Sequence, residues 1–120
     1  MAEQRNDNRT DRTNGNIFAY KLPAVMPGES FELLIPDRGV LIERIISVGS
    51  EDEEENWYDQ ERDEWVILLQ GKAVLVWANG ERLPLAAGDW VYIPAHHRHR
   101  VAETSAQPPC VWLAVHGRLG

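Results

Sequence analysis

Cysteine is nearly missing from this sequence. Cys110 stands alone, so no disulfide can close within the chain. Two prolines precede it and a strand-like run follows, so it reads as a small buried hydrophobe. Basic residues are scarce beside acidic ones, 12 against 19, which leaves a net charge of −7 at pH 7. There is no basic stripe with interleaved aromatics, which argues against a nucleic-acid partner. No apolar run approaches the roughly 18 residues that a membrane-spanning helix needs. The N-terminus lacks the apolar core of a signal peptide. These absences point to a cytoplasmic chain without a membrane partner. Helical periodicity and internal repeats are missing too, as are a serine elbow, a reactive-cysteine setting and a phosphate-binding loop.

What remains suits a turn-rich β protein: nine glycines, seven prolines, five tryptophans and 43% hydrophobic residues in 120 positions. One domain is expected at this length. Residues 1–16 are rich in Asn, Asp and Arg and almost free of apolar side chains. They read as a disordered tail ahead of a single domain at 17–120. Strand-like runs follow at Phe31–Ile35, Val40–Val48, Glu64–Leu69, Lys72–Ala78, Glu81–Leu85, Trp90–Ile93, Arg100–Thr104 and Cys110–His116. Between the second and third lies the acidic run Glu51-Asp52-Glu53-Glu54-Glu55, read as a solvated loop. Asn79-Gly80 signals a hairpin with a type I′ turn. Many short strands separated by turns predict an all-β antiparallel barrel or sandwich.

Strand faces sharpen the expectation. In Glu64–Leu69, Val66 and Leu68 share a face with Glu64, and Trp65, Ile67 and Leu69 share the other. A strand apolar on both faces is covered on both. The inner face fills the barrel, and the outer face is expected to meet a second sheet or a second copy of the chain, favouring a homodimer.

The densest chemistry is in Gly88-Asp89-Trp90-Val91-Tyr92-Ile93-Pro94-Ala95-His96-His97-Arg98-His99. A turn leads into a short strand, a proline ends it, and histidines follow. Imidazole is the commonest metal ligand and titrates near neutrality. His99 is expected to face inward with Val101 and Glu103, while Arg98 and Arg100 face out. Glu64 begins an apolar face, where a carboxylate is costly unless a metal or hydrogen bonds compensate it. His97 reads as a surface residue and His116 as an ordinary polar strand end.

At this point the chain resembles a cupin. The second motif of that family runs glycine, five residues, proline, one residue, glycine, two residues, histidine, three residues, asparagine. Gly88, Pro94 and His99 fall in register, with His96 in place of the inner glycine and Glu103 in place of the asparagine. Glu64 and Gly71 match the glutamate and glycine that end the first motif. Its two histidines are missing from Trp57-Tyr58-Asp59-Gln60-Glu61-Arg62-Asp63, and Asp59 or Gln60 stands where the second would be.

The resemblance implies a jelly-roll barrel (a double-stranded β-helix) with a site inside. Glu64 and His99 are the leading metal ligands, with Asp59 third and His96 fourth. Spacing does not choose among iron, zinc, manganese and nickel. Trp57 and Gln60 are candidates for the wall of a substrate pocket. Two functions follow: a metal-binding cupin acting on a small molecule by oxygenation, isomerisation or decarboxylation, or a non-catalytic barrel that binds a small ligand.

Overall fold

The computed structural model of the chain describes residues 13–50 and 57–120, together with the backbone of Arg5–Asn6. The acidic run Glu51–Glu55 and most of the expected tail lie outside the described residues. The elements are β1 (Arg5–Asn6), β2 (Gly28–Leu33), β3 (Leu41–Val48), β4 (Asp63–Gln70), β5 (Lys72–Trp77), β6 (Arg82–Ala86), β7 (Trp90–Ile93), β8 (His99–Thr104) and β9 (Cys110–Gly117). Among the described residues there is no helix long and apolar enough to cross a membrane.

The strands form two facing sheets, one ordered β1-β2-β3-β9-β4-β7 and one ordered β6-β5-β8. Every pairing is antiparallel except that of β1 with β2. This is the all-β antiparallel arrangement expected from the strand pattern, in the jelly-roll form that the resemblance implies. Alternation along β4 places Glu64, Val66 and Leu68 inside, as the sequence predicts. Val66 and Leu68 join Ala73, Leu75, Leu85, Val91, Ile93, Cys110, Trp112 and Ala114 in the core between the sheets.

A second, smaller cluster lies on the back of the large sheet. There Ile17, Tyr20 and Leu69 pack against Ile46, Val48 and Val111. Arg44 fixes the covering segment: its Nη1 donates to the carbonyl oxygens of Asn16, Ile17 and Ala19 at 3.3, 3.3 and 3.1 Å. Its Nη2 pairs with Glu32 at 2.8 Å. Part of the outer face is therefore covered by the chain's own N-terminal segment. Further along the same sheet, Trp65 and Trp90 lie 6.3 Å apart, and Trp90 is 60% exposed.

Two local expectations change. Asn79-Gly80 does not form a type I′ turn, because Asn79 keeps a negative φ and only Gly80 is left-handed, at φ 93°. Gly80 N–H donates to Trp77 O, and Trp77 N–H to Glu81 O, both at 2.9 Å. This is a three-residue hairpin loop closed by a glycine bulge. Glu103 does not face inward with His99. The β5–β8 ladder pairs Val74 with Glu103 but Leu75 with Val101, so Ala102 is an extra residue. That bulge reverses the alternation: Ala102 and Thr104 are buried, while Glu103 pairs with Arg82 at the surface at 2.7 Å.

Candidate active site

Four ionisable side chains meet inside the barrel, each from a different strand. Glu43 on β3, Glu64 on β4, His116 on β9 and His99 on β8 are all at least nine-tenths buried. Cross-strand register brings three of them together: Glu64 lies directly opposite His116, and His116 opposite Leu41, two residues from Glu43. His116 Nε2 is 3.2 Å from Glu43 Oε1 and 3.8 Å from Glu64 Oε2. Glu64 Oε1 is in turn 3.8 Å from His99 Nε2. The result is an alternating row of carboxylate and imidazole, Glu43–His116–Glu64–His99.

His99 is held from two sides. Its backbone exchanges hydrogen bonds with Tyr58 (Tyr58 N–H to His99 O, 2.7 Å; His99 N–H to Tyr58 O, 3.2 Å). The two rings stack with centroids 5.5 Å apart. His99 Nδ1 lies 2.9 Å from the carbonyl oxygen of His97. A carbonyl only accepts, so Nδ1 carries the proton and the neutral ring presents the lone pair of Nε2 to Glu64. Burial pushes the His99 pKa below its ordinary value; the His97 hydrogen bond raises it, and the neighbouring imidazoles of His97 and His116 lower it.

These groups line a cavity of about 50 Å³. Its wall also includes Glu29, Gln60, Phe31, Tyr58, Trp112 and aliphatic side chains. Trp112 is oriented by its Nε1–H, which donates to Ser47 Oγ at 3.2 Å. Gln60 is therefore in the wall. Trp57 is not: its ring lies beneath the guanidinium groups of Arg98 and Arg100, 5.6 and 5.4 Å from the centroid.

The four residues that the sequence suggests as metal ligands separate into two pairs. Glu64 and His99 face the cavity. Asp59 and His96 pair with each other at the surface, Nδ1 to Oδ1 2.7 Å, with side chains 51% and 65% exposed. His96 has φ 63°, a left-handed conformation that suits the glycine found there in the cupin motif. Among the described residues no group of three or more His, Cys, Asp or Glu side chains is arranged to hold a metal ion.

Glu43 and His116 are the site residues that the sequence reading missed. A signal existed for both. His116 has the parity of Trp112 and Ala114, the buried face of β9, and Glu43 interrupts an apolar strand at an inward position.

Comparison with known proteins agrees with this architecture. The cupin domain family profile matches residues 44–116. A Ralstonia eutropha protein provisionally assigned as a mannose-6-phosphate isomerase is 41% identical, with a TM-score of 0.81 over 90% of this chain and 100% of that one. A cupin superfamily protein from Desulfitobacterium hafniense is 18% identical, with a TM-score of 0.69 over 92% and 95% of the two chains. The Fe(II) form of HppE shares the fold at 12% identity and a TM-score of 0.56, over 65% of this chain and 42% of its own. No curated protein matches the sequence significantly. Profile, relatives and barrel agree, and the chain belongs to the cupin superfamily.

Proposed function

We propose that this cupin binds a small molecule in its barrel and moves a proton on it, in chemistry of the isomerase type. The observation that carries the reading is the buried row Glu43–His116–Glu64–His99 along one cavity. A proton shift between neighbouring carbons needs a base on one and an acid or relay for the other. A pair of imidazoles bridged by carboxylates offers both. His99, neutral and with its Nε2 lone pair turned inward, is the base in this reading. His116, beside two carboxylates, is the partner that returns the proton. The 41% identity to a protein provisionally assigned as an isomerase supports proton transfer over oxygenation or decarboxylation.

The test is incorporation of solvent deuterium into a panel of small hydroxy-carbonyl compounds, followed by NMR. Exchange that disappears in His99→Ala and Glu64→Gln supports the reading. Exchange at the same rate in both variants, or none with the wild type across the panel, rejects it in favour of a barrel that only binds.

A second reading rests on the His99 ring. An Nδ1–H held by a backbone carbonyl is the usual arrangement of a metal-ligating histidine. Two imidazoles and two carboxylates are donors of the right kind for a divalent first-row metal such as iron, zinc, manganese or nickel. Glu64 and His99 are the cavity-facing pair for it, a third ligand would require His116 or Glu43 to shift from the arrangement described above, and the ion would supply a Lewis acid for the ligand's oxygen atoms. Elemental analysis of metal-supplemented protein beside His99→Ala decides this: about one ion per chain, lost in the variant, is the required result.

We also read the chain as a cytoplasmic homodimer. The lone cysteine supports the first, and the tryptophan face around Trp65 and Trp90 the second. Size-exclusion chromatography with light scattering, repeated on Trp90→Glu, tests the dimer.

A further inference from the structure

We propose that Gln60 is the specificity-determining residue of the barrel cavity, its side-chain oxygen accepting a hydrogen bond from a hydroxyl group of the ligand. The assignment rests on the reading of this cavity as the ligand site and adds the group of the ligand that is recognised.

Residues 57–60 run extended beside the histidine loop. Tyr58 exchanges backbone hydrogen bonds with His99, and Gln60 O accepts from His96 N–H at 2.8 Å. Side chains on an extended segment point alternately to opposite sides. Tyr58 and Gln60 line the cavity, whereas Trp57 turns out to Arg98 and Arg100, and Asp59 to His96. The backbone of Gln60 is thus fixed by the histidine loop, and parity sends its amide inward.

The amide oxygen arrives there without a partner. Gln60 Oε1 is buried and accepts no hydrogen bond. Gln70 shows what a structural glutamine does in the same fold: its Nε2 donates to Tyr20 Oη at 3.2 Å and to Pro109 O at 3.0 Å. Burying an acceptor is unfavourable, and a structural role recovers the loss through a bond within the protein. Gln60 Oε1 has no such bond, and a ligand in the cavity is placed to supply it. A site with a buried polar group of this kind favours the ligand that pairs with it and rejects the isostere that does not.

The chemistry of the amide and the size of the cavity narrow the ligand. An amide oxygen only accepts, so the ligand atom facing it carries a hydrogen. About 50 Å³ has room for about four water-sized groups at roughly 10–15 Å³ each. In that space a group held by Gln60 lies within a few bonds of His99, which lines the same wall. The hydroxyl of a small hydroxy-carbonyl compound meets both limits.

Isosteric probes test the assignment. The full chain is titrated with hydroxyacetone, with 2-butanone, which has a methyl in place of the hydroxyl, and with fluoroacetone, whose fluorine cannot donate. Binding is followed by NMR chemical shifts. Hydroxyacetone should bind about tenfold or more tightly than either of the others, the worth of one hydrogen bond to an acceptor already buried. Gln60→Leu should weaken hydroxyacetone by about tenfold and leave 2-butanone within about twofold, which erases the preference. The melting temperature of Gln60→Leu should equal or exceed that of the wild type, because an unpaired buried acceptor is removed.

A preference for hydroxyacetone that survives in Gln60→Leu overturns the assignment and leaves the cavity as the ligand site. So does an equal loss for all three probes with a lower melting temperature, which would make Gln60 structural. Fluoroacetone bound as tightly as hydroxyacetone, through Gln60, would mean that the amide donates, and the hydroxyl would be the wrong group. No binding of any probe would remove the cavity reading together with Gln60. Failure of the deuterium-exchange assay beside an intact hydroxyl preference would remove the catalytic reading alone and uphold the role of Gln60.

Discussion

Glu64 and His116 face each other directly across the β4–β9 ladder, and the Glu64 carboxylate is shared between two imidazoles. Its Oε2 lies 3.8 Å from His116 Nε2 and its Oε1 3.8 Å from His99 Nε2. One carboxylate thus connects a histidine of the large sheet to a histidine of the small one. Replacing it with an amide of the same shape removes the charge and keeps the volume. Glu64→Gln should therefore lower solvent-exchange activity by about 100-fold or more, the usual worth of a positioned acid or base. Activity within a factor of a few of wild type would leave the row without a catalytic part.

The surface pair Asp59–His96 should matter little to the cavity. It is an exposed ion pair, worth about 0–1 kcal/mol, and His96 occupies a left-handed backbone conformation that costs a side-chain-bearing residue roughly 1 kcal/mol or more. His96→Gly should be neutral or stabilising by up to about 1 kcal/mol, and should leave ligand binding unchanged. Denaturant titration measures the first expectation and calorimetry the second. A loss of ligand affinity would place His96 in the site after all.

Gly71 is constrained from two sides. Its φ of 94° is left-handed, and a Cβ there would meet Ser105 Oγ at 2.8 Å, Cys110 Sγ at 2.9 Å and Cys110 Cα at 3.0 Å. Gly71→Ala should destabilise by about 1–3 kcal/mol. Gly39, whose φ is 108° but whose Cβ would meet nothing within 4 Å, should tolerate alanine better. Equal melting temperatures for the two variants would contradict this account of close packing.

Acid should act on stability through His99 first. Burial holds its pKa below the ordinary value of about 6.5, so the unfolded chain takes up that proton at a higher pH than the folded chain does. The contribution of the neutral ring is complete above about pH 6.5 and is lost as pH falls through the folded pKa. Asp63 acts lower: hydrogen bonds from the Ala95 and Leu119 amides lower its pKa, so its contribution is complete above about pH 4 and lost below that. The melting temperature of the wild type should fall as pH drops below about 6.5, and the fall should shrink in His99→Gln. A curve of the same slope in that variant would assign the effect elsewhere.

Much of the barrel is legible in the sequence because period-2 alternation survives in it. Parity alone places Glu64 beside Val66 and Leu68 inside β4. The same rule finds Glu43 and His116 when applied to β3 and β9, but a polar residue near a strand end ordinarily points to solvent. Glu103 escapes parity because Ala102 is an extra residue, and a bulge leaves no mark in composition. Asp59 and His96 lie in loops, where no period relates spacing to direction. The family motif therefore located two of its four suggested ligands inside and two outside.

His99 is the member of the row that comes from the three-stranded sheet; Glu43, Glu64 and His116 all come from the six-stranded one. Whatever occupies the space between Glu64 and His99 fastens one wall of the barrel to the other. Occupancy should then be felt as mechanical closure: slower amide exchange in β8 and in β4 together, at positions well away from any contact with the ligand.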